Sequence, residues 1–529
     1  MVKAGLCGIF SLSHLCAILL AAVLSLHAGF AASQSVGRDQ TPAQKAHDKG
    51  LAALAAGDLA SAASAFQQSL RLDPRNADAH RSLARIFAQQ QKLDDALAQM
   101  REAEKLQPNS PAIHDELGVL LVQKDDTVAA AAEFRKALEL DPHYQPAKFH
   151  SGVLELKSGD AASAALTLTE AVQLNPHDAL AYYYLGNARE ANNDLPAAVK
   201  AYGEAARLNP DFAPAQLHLG LVAQHSGDME TAAAAFSRLV HLTPNDADAH
   251  NDLGLVLMQQ GDGEAAVKQF QEALKLRPND AEIRGNLGAV YMQLSNFDGA
   301  VEELRNALKT SPDSASLHYD LALALKLKDD LPGAVTELKE AIRLDPKLTD
   351  AYYTLGVTLW QQGELAASAD QLRTAIKLKP DYVEAYSTLG SVLRQMKQLP
   401  EAAQALQEGI RLQPDLPGPH TTLAGVLRQM GDKEGASEQT RIGDELAKAK
   451  TNQQAALFSL NSGKRLLKVG DLEGAVSQLR HAVQLAPESA DSHYQLALAL
   501  SRTGNKDEAA AEYGLAIKLN PRFASYPQP

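Results

Sequence analysis

Beyond residue 16 the chain has no cysteine: its only two, Cys7 and Cys16, stand in an apolar N-terminal stretch. Removal of that stretch excludes disulfides, thiol nucleophiles and thiolate metal sites together. Aromatic residues are scarce as well, at 5% with a single tryptophan, which argues against one large ring-filled core. No glycine-rich phosphate loop, H-E-x-x-H pair or nucleophile elbow occurs, so the usual marks of nucleotide-, zinc- and serine-dependent catalysis are missing. Positive charge is in deficit, with 50 Lys and Arg against 64 Asp and Glu. An acidic surface repels phosphate backbones, which disfavours nucleic acid as a partner.

What is present begins with Lys3, an apolar run at 15–26, and Gly29 and Ala31 spaced for a cleavage site. This predicts a secretory signal peptide over residues 1–31, cut after Ala31, and an exported chain, periplasmic or secreted. Its loss removes Lys3 and no acid, taking the formal charge from −14 to −15. The alternative is an uncleaved anchor, because residues 15–32 come close to spanning length. After cleavage no membrane span is expected. Residues 32–42 are a polar lead, read as disordered.

From residue 43 a period of 34 residues governs the chain. Twelve units fill 43–450, five residues intervene at 451–455, and two further units fill 456–523 before a tail at 524–529. The third unit shows the pattern: Leu117 and Gly118 at unit positions 7 and 8, Ala130 at 20, Phe134 at 24, Ala137 at 27 and Pro142 at 32. Position 8 is Gly or Ala throughout, and position 20 is Ala except at Ser368. Small residues at both places let two helices approach closely. Glycine-aspartate pairs such as Gly57-Asp58 and Gly261-Asp262 mark turns between them. Proline at position 32 ends the second helix in every unit but the twelfth, which carries Lys448. There the second helix is expected to run on into the next unit across 434–468, unless Thr451 and Asn452 cap a fresh start.

With this period and these residues the chain resembles the tetratricopeptide repeat family over nearly all of its length. The resemblance implies an all-α fold, a right-handed α-solenoid superhelix of antiparallel helix pairs. It also implies a concave groove lined by first-helix positions 2, 5, 6, 9, 12 and 13. On those positions the expected partner-binding residues are Phe149, Tyr183, Leu217, Tyr319 and Tyr353 at position 5, Met258, Met292 and Trp360 at position 12, and the basic Arg394 and Arg428 beyond them. Aromatic, methionine and arginine side chains are common anchors for peptides and helices. The carboxylate clamp of chaperone-binding relatives is absent, since Arg85 and Glu116 stand where it needs asparagine.

Six histidines share position 4, namely His80, His114, His250, His318, His420 and His493, and are expected to pack between helices. Successive repeats hold them too far apart to share an ion, so no metal and no cofactor is expected. The chain thus reads as a non-catalytic, exported scaffold for protein or peptide partners. The alternative is a factor in cell-envelope polysaccharide assembly or secretion, binding glycan or synthase subunits. At the C-terminus Phe523 and Tyr526 are expected to fold back over the last helix, or the exposed end to associate with another chain.

Overall fold

In a computed structural model of the chain, residues 41–529 are described; the expected signal peptide at 1–31 and the lead as far as residue 40 lie outside them. The described residues form 27 α-helices and one terminal 3-10 turn, with no strand. They belong to two compact units, one ending at Pro278 and the other spanning Asn279–Pro529, which divide in the turn between repeats seven and eight. Each unit is an α-solenoid of consecutive helix pairs. No described helix is long and apolar enough to cross a membrane.

Local chemistry sets each pair. The glycine after a first helix takes the left-handed conformation, as at Gly227 (φ 84°) and Gly261 (φ 86°), and the following aspartate caps the second helix. Asp228 accepts from the Thr231 amide at 3.1 Å and Asp262 from the Ala265 amide at 3.1 Å. Such caps contribute about 1 kcal/mol each.

Packing explains the small residue at position 8. A Cβ on Gly220 would lie 2.7 Å from the Phe236 ring, and one on Gly254 2.7 Å from the Phe270 ring. In three of the four repeats where alanine takes position 8 (Ala84, Ala322 and Ala424), position 24 is the non-aromatic Met100, Leu338 or Thr440; the last repeat, with Ala497 and Tyr513, is the exception. The two positions therefore share one volume, and the close packing of protein interiors leaves little slack for both to be large.

Fourteen repeats would supply 28 helices, and one fusion reduces them to the 27 observed. The second helix of repeat twelve and the first of repeat thirteen are a single helix, Lys433–Val469, of 37 residues. Good helix formers and the absence of Pro and Gly at 444–462 allow it. Between Gly443 and Ala456 it has no buried residue, so this span depends on its own propensity. An A449P variant is expected to cost roughly 3 kcal/mol locally. Limited trypsinolysis reads it out as rapid cleavage after Lys450, a site the native helix protects.

The tail closes the other end. Phe523 is buried with its ring 5.0 Å from Tyr494, and Tyr526 lies 5.5 Å from the same ring. The Tyr513 hydroxyl donates to the Phe523 carbonyl at 3.1 Å, and that of Tyr494 to the Pro527 carbonyl at 3.2 Å. Both tail aromatics fold back over the last helix pair.

Candidate functional site

Residues 35 apart in sequence meet across neighbouring first helices, because position 5 of one repeat faces position 6 of the next. This register gives Arg81 with Glu116, Asp115 with His150 at 2.7 Å, and Tyr319 with Thr354 at 3.4 Å. In the first unit it builds a buried polar cluster. Glu116 is 5% exposed and accepts from Arg81 Nε at 2.9 Å and from Arg85 Nε at 3.0 Å. Burial pushes its carboxyl up, but the Arg85 and Arg81 guanidiniums outweigh that and hold it below the usual glutamate range. Burial also pushes the nearby Tyr144 hydroxyl up, helped by Asp115 and Glu116. None of this cluster figures among the expected site residues, although the 35-residue spacing of opposite charges would have revealed it.

The same register corrects two expectations. Phe149 is 4% exposed, with its ring 5.6 Å from Tyr184, and Tyr183 is 9% exposed, with its ring 5.1 Å from Phe212 and 5.6 Å from His218. Both fill space between first helices and are not available as anchors. Leu217 and Met258 are half-buried in the first unit, as are Met292, Tyr319, Tyr353, Trp360 and Arg394 in the second, while Arg428 is exposed. The Tyr353 ring lies 5.0 Å from that of Tyr382, whose hydroxyl donates to Asp350 at 3.0 Å.

Position 12 distinguishes the second unit. Its row runs Met292, Lys326, Trp360, Arg394 and Arg428 through repeats eight to twelve. Trp360 Nε1 donates to Gln395 Oε1 at 3.0 Å, which fixes the indole beside the next repeat. A Cβ on Gly425 would meet the Arg394 guanidinium at 2.9 Å, so that glycine leaves the arginine its place. Burial lowers the Lys326 ammonium from its usual range. Among the described residues, no ion pair involves Lys326, Arg394 or Arg428. Lys326 is not among the expected site residues, although Arg394 and Arg428 stand at the same position of later repeats. Gln259 and Gln395, at position 13, bond to Gln224 and Trp360 of the preceding repeats and so tie the scaffold together.

The six position-4 histidines serve as straps. Each Nε2 faces the carbonyl of the preceding repeat's Pro74, Pro108, Pro244, Pro312, Pro414 or Pro487, at 2.8–3.2 Å. Each Nδ1 faces the residue 19 further on, a glutamine for His80, His250 and His420 and a glutamate for His114, His318 and His493. A carbonyl accepts only, so Nε2 carries the proton in all six.

A family profile described as tetratricopeptide repeat matches residues 47–111, 95–145, 149–211, 185–247, 217–281, 353–417 and 460–527, and further repeat profiles match 257–323 and 327–363. No curated protein matches. Among solved structures, MamA 41-end from Desulfovibrio magneticus RS-1 is 27% identical, covering 32% of this chain and 95% of its own, with a TM-score of 0.30. YrrB, described as a TPR protein with an unusual peptide-binding site, is 24% identical over 36% of this chain and 98% of its own, with a TM-score of 0.32. Yeast Tom70 is 16% identical over 85% of this chain and 98% of its own, with a TM-score of 0.35.

Proposed function

That the chain belongs to the tetratricopeptide-repeat family is the premise from which we propose its function: a non-catalytic scaffold that holds an acidic peptide or helix segment on the first-helix face of its second unit. The observation carrying this reading is the position-12 row, in which Lys326, Arg394 and Arg428 flank Trp360 without carboxylate partners in a chain of net charge −14. Unpaired, solvent-accessible cations of this kind steer an oppositely charged segment and reject like-charged ones. Tyr319, Tyr353 and Trp360 supply the apolar anchors, and the arginines beyond them give the segment a direction. An exported compartment is proposed for this encounter, a reading supported by the signal-like sequence of residues 1–31.

The single tryptophan lies in the row, so its own fluorescence reports binding. Titration with an acidic, aromatic-containing peptide is expected to shift Trp360 emission. An R394E/R428E variant should weaken binding by about 10- to 100-fold, with the loss shrinking as salt rises. Equal affinity in that variant, with helicity unchanged, would overturn the proposal. Recovery of a mature chain from the exported fraction, beginning at Ala32, tests the compartment.

A further inference from the structure

One of the six histidine junctions differs chemically from the rest. The residue at position 28 of the preceding repeat is aliphatic at five of them, as Leu70, Val240, Leu308, Ile410 and Val483. Before His114 it is Glu104. A carboxylate oxygen of Glu104, one of Glu133 and a ring nitrogen of His114 all lie within 4.8 Å of one another. We propose that these three residues bind a divalent first-row transition-metal ion between repeats two and three.

The geometry suits a ligand set. The Pro108 carbonyl accepts from His114 Nε2 at 2.9 Å, and Nδ1 makes a 2.8 Å hydrogen-bonded contact with Glu133 Oε2, whose proton an incoming ion would replace. Metal-binding histidines are oriented by such a bond on their other nitrogen. His114 is fully buried, while the side chains of Glu133 and Glu104 are 16% and 22% exposed, so an ion can enter and complete its coordination with water. One imidazole and two carboxylates form the nitrogen-oxygen set that Zn²⁺, Co²⁺ and Mn²⁺ accept. Arg101 at 3.5 Å and Lys136 at 4.0 Å compete for Glu104, but both lie beyond close hydrogen-bond range on half-exposed side chains that can turn to solvent. The ion would join the second helix of repeat two (Leu93–Leu106) to both helices of repeat three (Pro111–Gln123 and Thr127–Leu140), so its effect is to stiffen one junction.

The chain supplies its own controls. E104L installs the residue found at Leu70 and Leu308, and E133Q the one found at Gln99, Gln269 and Gln439, so both should fold. Chelator-stripped full-length protein is titrated calorimetrically with ZnCl₂, and amide exchange is followed with and without Zn²⁺. The expected result is one tight equivalent, slowed exchange in repeats two and three, and affinity lowered roughly tenfold or more in each variant. Absence of Zn²⁺ binding below about 100 μM, or wild-type affinity in E104L, would overturn the proposal.

Discussion

Replacing Glu116 with glutamine is expected to destabilise repeats two to four by about 3–5 kcal/mol, because two guanidiniums then remain in a site built around one carboxylate. The Arg81 and Arg85 side chains are themselves largely buried, so neither can recover full hydration. Truncating all three as R81L/R85L/E116L should cost less than the single change, since no charge is left without a partner. Repeat arrays need not unfold in one step, so amide exchange of Ala77–Gln89 and Pro111–Gln123 is the appropriate measure. The pH dependence follows from the direction of the shift. The folded carboxyl titrates below its unfolded range, so its contribution is present above about pH 4.3 and is lost as pH falls through the lower folded value. E116Q should lack that acid-induced weakening.

The second large effect is a methyl group. Gly254→Ala gains about 1 kcal/mol of helix propensity. Its Cβ, however, would sit 2.7–2.9 Å from three atoms of the fully buried Phe270 ring. Overpacking of this kind costs about 1–3 kcal/mol and should more than cancel the gain. Phe270→Leu in the same chain reproduces the Ala322 and Leu338 pair of repeat nine, in which both side chains are fully buried together. Urea titrations of the double-mutant cycle should give a coupling of about 1 kcal/mol or more in favour of the double variant. Independent effects that simply add would mean that the two positions do not share a volume.

The scaffold was legible because its determinants recur. A glycine at 118 or 254 and a proline at 142 say the same thing each time, and the helix pairs follow from them. The partner-binding face was less legible, because exposure at position 5 depends on the neighbouring repeat. Tyr183 and Tyr353 occupy the same position, but Tyr184, Phe212 and His218 crowd the first, and the second keeps part of its ring in solvent. The Arg81, Arg85 and Glu116 cluster was hidden for the same reason, its members lying in different repeats. Lys326 became visible only when position 12 was followed through consecutive repeats as a row of charges.

The fused helix Lys433–Val469 has a directional consequence. At the other junctions of the second unit the chain reverses between one repeat and the next, so first helices of repeats eight to twelve all point the same way. Across these 37 residues, about 55 Å of helix, it does not reverse. The first helix of repeat thirteen therefore runs parallel to the second helix of repeat twelve and opposite to every first helix in repeats eight to twelve. A bound segment with a defined N-to-C sense that lies along Trp360, Arg394 and Arg428 meets a surface of inverted polarity beyond them. Repeats thirteen and fourteen thus cannot extend that track; they offer a second one, which a segment would have to enter from the opposite end.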